Sequence, residues 1–203
     1  GVADTTTPVY TSGDGGTTWS ALPGQPAAGI PQQGRMAADG DTLYVAYGDA
    51  PGPYQMWGGQ GWRLDTGDGT GTGSGTGSGT WTDITPLRPY QGEEQGFGYC
   101  GLAVDGTDPG TVMVATMGRW GPVDDIFRST DGGASWVSLQ DHSTMDTSAA
   151  PYLDWHGTPK LGWMISALVI DPFDPDHFLY GTGATVFGGD SLTEVDSGGS
   201  ISI

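Results

Sequence analysis

The apolar positions of this chain fall into short runs of strand length, each closed by Gly, Pro, Asp or Ser. The clearest is residues 42–47, Thr-Leu-Tyr-Val-Ala-Tyr, whose β-branched and aromatic side chains suit a pleated, half-buried surface. Similar runs predict strands over residues 8–12, 17–22, 61–64, 80–84, 99–104, 111–116, 126–129, 134–139, 163–170, 178–181 and 185–187, with a weak strand over 35–38. Residues 22–34 and 48–54 read as loops from their Pro and Gly content, and 141–160 as a long loop holding aromatics. Residues 67–79 are almost wholly Gly, Thr and Ser, which predicts a flexible connection without packing information.

Two of the turns are copies of each other. Ser12, Asp14, Gly16, Thr18 and Trp19 recur in spacing and chemistry as Ser129, Asp131, Gly133, Ser135 and Trp136. Asp bonds its own backbone two residues on, and Gly supplies a positive φ, so each copy predicts a tied hairpin turn. This is the Asp-box, a turn staple of propeller blades and a poor signal for chemistry. A second repeat places Leu102, Asp105, Asp108-Pro109 and Thr116 66 residues before Leu168, Asp171, Asp174-Pro175 and Thr182. Trp19, Trp81, Trp136 and, in degraded form, Val195 mark turn ends at spacings of 62, 55 and 59 residues.

Periods near these values with four short strands each predict an all-β fold of β-propeller blades, about three and a half blades of a seven-bladed ring. Blade ends fall near residues 1–22, 35–85, 98–139 and 163–196 of a single partial propeller spanning 1–203, with 67–79 as an overgrown hairpin. A β-sandwich would also accommodate the strands, but it does not explain a turn repeated at fixed phase.

Composition narrows the partners. The net charge is −18 with six Lys and Arg, which argues against nucleic acid and acidic membrane surfaces and suits a soluble secreted protein with a neutral ligand. Cys100 stands alone in an apolar run, so it reads as a small buried hydrophobe. The expected localisation is extracellular. Gly1 carries neither an initiator Met nor a signal peptide, so the chain reads as processed, truncated or partly represented. Three His show no metal-ligand pattern, the aspartates show no EF-hand spacing, and no cofactor motif is present; turn chemistry accounts for Asp105, Asp108, Asp171, Asp174 and Asp176.

In a meander, connections alternate between the two ends of the blade. The Asp-box and Asp-Pro turns then share one face. The longer loops, at 22–34, 48–60, 86–96, 117–125 and 141–162, share the other. That loop face holds Tyr54, Trp57, Tyr90, Trp120, Tyr152 and Trp155 beside Asp49, Asp124 and Asp125. Aromatic rings stack on the C–H faces of pyranoses, and carboxylates accept hydrogen bonds from hydroxyls. The expected sugar-binding set is therefore Trp120, Tyr54, Trp57, Trp155, Asp49 and Asp125.

The run from Gly121 through Asp124-Asp125 and Arg128 to Trp136 resembles the central blades of glycoside hydrolase family 74, the xyloglucan-specific endoglucanases and oligoxyloglucan cellobiohydrolases. The similarity continues through Pro151, residues 159–164, 167–174 and 179–185, and includes 47–54 and 80–85. It covers nearly the whole chain except the Gly-Thr-Ser stretch and the tail. The resemblance implies two propellers clamping xyloglucan or a related β-glucan, with inverting hydrolysis by two carboxyls about 6.5–9.5 Å apart. This chain resembles later blades of the first propeller only, and neither catalytic motif is present, so no catalytic residue is carried over. Many relatives have two adjacent tryptophans where this chain has Trp120-Gly121, and Pro-His-Lys-Gly where it has Pro31-Gln-Gln-Gly34.

The implied function is scaffold and substrate cleft within a xyloglucan-degrading hydrolase. Its partners would be the remainder of a two-propeller polypeptide or another fragment. Two other classes fit the same blades: a non-catalytic glycan- or protein-binding propeller, and a structural assembly protein.

Overall fold

The computed structural model describes residues 9–37, 40–53, 56–66, 79–87, 96–119, 123–156 and 161–203, excepting the side chains of Met36 and of 154–156. Fifteen strands are present among them: β1 (Tyr10–Thr11), β2 (Ser20–Ala21), β3 (Ile30–Met36), β4 (Thr42–Gly48), β5 (Gln60–Asp65), β6 (Thr80–Asp83), β7 (Gly98–Val104), β8 (Val112–Met117), β9 (Ile126–Ser129), β10 (Val137–Ser138), β11 (Ser143–Thr144), β12 (Ala167–Asp171), β13 (Asp174–Gly181), β14 (Val186–Gly189) and β15 (Ile201–Ser202). Strands β3 to β6 form one antiparallel sheet in chain order, β7 to β10 a second, and β12 to β14 a third, while β1 and β2 pair as a hairpin. These are blades of a partial propeller, and among the described residues no sheet closes on itself.

The first strands of the blades, β3, β7 and β12, lie side by side. Gln33, in β3, ties to β7 and to the residue preceding β12: its Oε1 accepts from the Leu102 amide at 3.0 Å, and its Nε2 donates to the Ser166 carbonyl at 2.9 Å. Every residue of β8 is buried, because the second sheet is covered on both faces. On one side Tyr44, Ala46, Ile84, Phe97, Tyr99, Leu102, Val112 and Val114 form a core with the first sheet. On the other, Met113, Ala115, Ile126 and Leu139 meet Leu168, Ile170, Phe178 and Tyr180 of the third. The continuous apolar run in β8 is what a strand needs when both faces are covered.

Polar ties cross the same seams. The Tyr44 hydroxyl donates to the Pro109 carbonyl at 2.8 Å, and Arg63 Nη1 donates to the Gly132 carbonyl at 3.1 Å. Arg128, almost fully buried, forks onto Asp196 through Nε at 2.7 Å and Nη2 at 2.8 Å.

One Asp-box closes the β1–β2 hairpin and the other joins β9 to β10, the third and fourth strands of the second sheet, and both carry the same network. Ser12 and Ser129 donate Oγ–H to Oδ1 of Asp14 and Asp131 at 2.9 and 2.8 Å. The Gly16 and Gly133 amides donate to those serine oxygens at 2.8 Å. The Thr18 amide holds Asp14 at a pKa of about 2, with the Thr18 and Ser12 hydroxyls adding to it. Asp131 is likewise held at about 2, first by the Ser135 hydroxyl and then by its amide. The Gly132 amide donates to the Gly110 carbonyl at 2.8 Å, so the Asp-box and the Asp-Pro turn do share one face. In that turn Asp105 accepts from the Thr107 amide and hydroxyl, and Asp108 from the Gly110 amide and Thr111 hydroxyl.

The structure departs from expectation in several places. β3 starts at Ile30, inside the stretch expected to be loop; Pro31 is tolerated because a bulge lies between Pro31 and Gln33. Residues 163–166 are not strand, and β13 begins at Asp174, so His177 lies in a strand rather than a loop. As the sequence predicts, the last blade has three strands among the described residues. A 3₁₀ helix, Leu192–Ser197, follows β14 and buries Leu192 and Val195 in the core. The Gly- and Ser-rich tail then pairs β15 in parallel with β11, a contact between residues too far apart in sequence to read from local pattern. Trp136 is half-buried against the core between the first two sheets, whereas Trp19 is 62 % exposed, so the Asp-box tryptophans are not uniformly buried.

Candidate functional site

The β4–β5 connection presents a rigid aromatic platform. Trp57 is 54 % exposed, yet its backbone is locked: its amide donates to Asp49 Oδ1 at 2.7 Å. Gly96 lies so close to the Trp57 backbone that no Cβ would fit between them. The neighbouring Met56 is buried and packs against Gly48, Gly52 and Gly98, plugging the base of the loop. Asp49 is itself exposed, so the ring and a carboxylate stand together at the surface.

The rim continues onto the second blade. Arg119 lies 5.8 Å from the centroid of the buried Phe97 ring, and its Nη1 is 3.7 Å from Asp125. Asp125 is 3 % exposed. Its oxygens accept from the Ser138 hydroxyl at 2.7 Å, the Ile126 amide at 2.8 Å and the Gln140 amide at 3.1 Å. Its neighbour Asp124 is fully buried. Oδ1 accepts from the Thr116 hydroxyl and the Arg119 amide, each at 2.9 Å. Oδ2 accepts from the Met164 amide at 2.7 Å and the Gly118 amide at 3.3 Å. Burial pushes both carboxyls above the ordinary range, against the hydrogen bonds that favour their ionised forms.

Of the six sugar-binding candidates, Trp57 and Asp49 come together at the surface. Asp125 sits beneath it as an anchor of the β8–β9 corner. Tyr54 and Trp120 lie outside the described residues. The Trp155 backbone belongs to the 3₁₀ helix Pro151–His156, and its side chain lies outside the description. Tyr152 in that helix is strongly exposed. Arg119, Phe97 and Met164 were not singled out by the sequence reading, which had no local signal for the contact between them or for the backbone of Met164.

Cys100 is half-buried, and burial raises its thiol pKa, with the nearby Asp124 charge adding to the shift. Among the described residues, no group of three or more His, Cys, Asp and Glu could hold a metal ion. No helix among them is long and apolar enough to cross a membrane. A cleft of about 360 Å³ opens elsewhere, between Gln33 and Arg35 of β3 and Val169, Leu179 and Val186 of the third sheet. It faces the uncovered side of that sheet and not the platform.

No family model matches the chain. It is 45 % identical over 221 residues to the xyloglucanase Xgh74A of Acetivibrio thermocellus, an alignment spanning all of this chain and 25 % of that protein. It is 43 % identical over 219 residues to a xyloglucanase of Paenibacillus sp, spanning all of this chain and 20 % of that one. The crystal structure of a GH74 xyloglucanase from Xanthomonas campestris superposes with a TM-score of 0.80 at 34 % identity, covering 96 % of this chain and 25 % of that chain. The chain thus spans about a quarter or less of the length of the relatives it matches.

Proposed function

We propose, from a chain that aligns in full with a segment of glycoside hydrolase family 74 xyloglucanases, that it forms consecutive blades of a xyloglucan-degrading hydrolase and supplies part of its substrate cleft. The observation that carries this reading is the Trp57–Asp49 platform on the loop face. A ring this exposed, on a backbone this constrained, is pre-organised for a flat apolar ligand surface, so little ordering entropy opposes binding. A pyranose ring fits that description, and the adjacent carboxylate is placed to accept from its hydroxyls. A neutral β-glucan with xylosyl branches suits a chain of this acidity. Tyr54, Trp120 and Trp155 would extend the same face, and Asp125 would serve from below by holding the β8–β9 corner. The catalytic carboxylates would lie in other parts of a two-propeller polypeptide. A polysaccharide substrate of this size is met outside the cell, so the protein would be secreted.

The test is Trp57→Ala in the full-length protein. Affinity for xyloglucan oligosaccharides, measured by calorimetry, should fall by about 1–3 kcal/mol, the scale of a lost ring-stacking contact, with the melting temperature unchanged. Undiminished affinity would remove the platform from the cleft, and a parent protein without affinity would favour a protein-binding or assembly role.

A further inference from the structure

We propose that Asp124 is a positioning residue: its buried carboxylate clamps the Gly118–Arg119 corner of the second blade to the Trp163–Met164 segment entering the third. It thereby fixes the spacing of neighbouring sugar sites across the blade seam. The inference rests on the glycan-cleft reading above, but its structural half can be measured without any glycan.

Two observations meet at this point. Asp124 receives four donors, the Thr116 hydroxyl and the amides of Gly118, Arg119 and Met164, and the last comes from 40 residues further along the chain. Met164, in turn, has φ of 62°, a left-handed conformation that non-glycine residues seldom adopt and that persists only where the surroundings impose it. Its amide is the shortest of the four contacts, at 2.7 Å. The Trp163 carbonyl on the preceding residue is held by the Gly183 amide at 2.9 Å, so the segment is tied from both sides. Arg119 rests over Phe97, and Gly96, next to Phe97 in the chain, abuts Trp57. The clamp therefore joins the end of a contiguous line of contacts running from the Trp57 platform through the buried Phe97 to the third blade. A ligand long enough to cross the seam would register any change in that spacing, whereas a short one bound on a single blade would not.

Asn is the same shape as Asp but has one carbonyl oxygen. It can serve the Thr116–Arg119 pair or the Gly118–Met164 pair with an acceptor, not both, so Asp124→Asn either loses the Met164 amide or holds the corner by the long Gly118 contact alone. Met164→Ile leaves the carboxylate intact but places a β-branched residue where φ is positive, and Met164→Gly accepts that φ freely. In the full-length protein, xyloglucan oligosaccharides of increasing length are titrated by calorimetry, and amide hydrogen exchange is followed over residues 116–119 and 162–166. Asp124→Asn and Met164→Ile should weaken binding of the longest oligosaccharides on the order of ten- to a hundredfold, by analogy with the rate lost when a reacting group is misplaced by about 1 Å. They should leave the shortest ligands within about twofold of the parent by the same argument, and exchange should accelerate in both segments together. Met164→Gly should bind as the parent does.

Equal loss at every length, or loss in Met164→Gly matching that in Met164→Ile, would overturn the proposal by pointing to general destabilisation or to the side chain. Unchanged binding in both Asp124→Asn and Met164→Ile would also overturn it. If Asp124→Asn does not fold, Met164→Ile and Met164→Gly decide the outcome by themselves. A parent protein that binds no xyloglucan sinks the cleft reading instead; the clamp is then judged on exchange, and fails if the two segments respond independently.

Discussion

Gly133 and Gly16 occupy the same position in the two Asp-boxes, which makes them a matched pair for measuring what a blade seam contributes. Both have positive φ, 89° and 92°, and both donate their amide to the box serine at 2.8 Å. Replacing either by Ala imposes the same backbone penalty, roughly 1–2 kcal/mol for an L-residue in the left-handed region. Their surroundings differ. A Cβ on Gly16 would lie 3.5 Å from the Trp19 ring, an ordinary contact. A Cβ on Gly133 would lie 2.6 Å from Ile84 Cβ and 2.8 Å from its Cγ2, across the seam between the first and second blades. Overpacking of this kind typically costs a further 1–3 kcal/mol. Gly133→Ala should therefore lose about 2–5 kcal/mol and Gly16→Ala about 1–2 kcal/mol. Urea unfolding of the full-length variants, followed by tryptophan fluorescence, gives both losses. Equal losses would mean that the seam yields to the added methyl and that Ile84 does not hold the Asp-box in place. A larger loss in Gly16→Ala would refute the reasoning outright.

Asp196→Ala leaves the Arg128 guanidinium almost fully buried and stripped of its fork, so thermal or urea unfolding should show a loss of roughly 3 kcal/mol, the low end for a broken buried pair because Asp196 is partly exposed; a loss near zero would mean that water replaces the carboxylate. Asp14 and Asp131 have folded-state pKa values of about 2 against a usual 3.8, so the stability they add is fully present above 3.8 and is lost as pH falls through about 2. An acid titration of stability should be steeper over that window in the parent than in an Asp131→Asn variant, and identical profiles would count against the staple. Val169, Leu179 and Val186 are 49 %, 41 % and 65 % exposed on the uncovered side of the third sheet, so the isolated 203-residue chain should self-associate in light scattering. A compact monomer would show that this face is tolerated in water. The same preparation should release no reducing sugar from xyloglucan.

The features read correctly from sequence are those whose physics is local. The Ser12–Asp14–Gly16 and Ser129–Asp131–Gly133 turns close within four residues, so their chemistry is complete in the motif itself. The β-branched and aromatic residues of 42–47 and the apolar run of β8 likewise identify strands without reference to any partner. Tertiary structure decided which side chains those strands cover and which they leave in water. Trp19 and Trp136 share one motif, yet only Trp136 has a core to lean on, because burial depends on the neighbouring blade and not on the turn. Asp49 and Asp125 look alike beside aromatic loops; one stands at the surface, and the other is enclosed by Ser138, Gln140 and Arg119. The start of β3 across Pro31, the parallel pairing of β15 with β11 and the left-handed backbone of Met164 have the same origin. Each is imposed by groups distant in the chain, as the 133-position separation of Gln33 and Ser166 illustrates, and a pattern that spans a few residues carries no record of them.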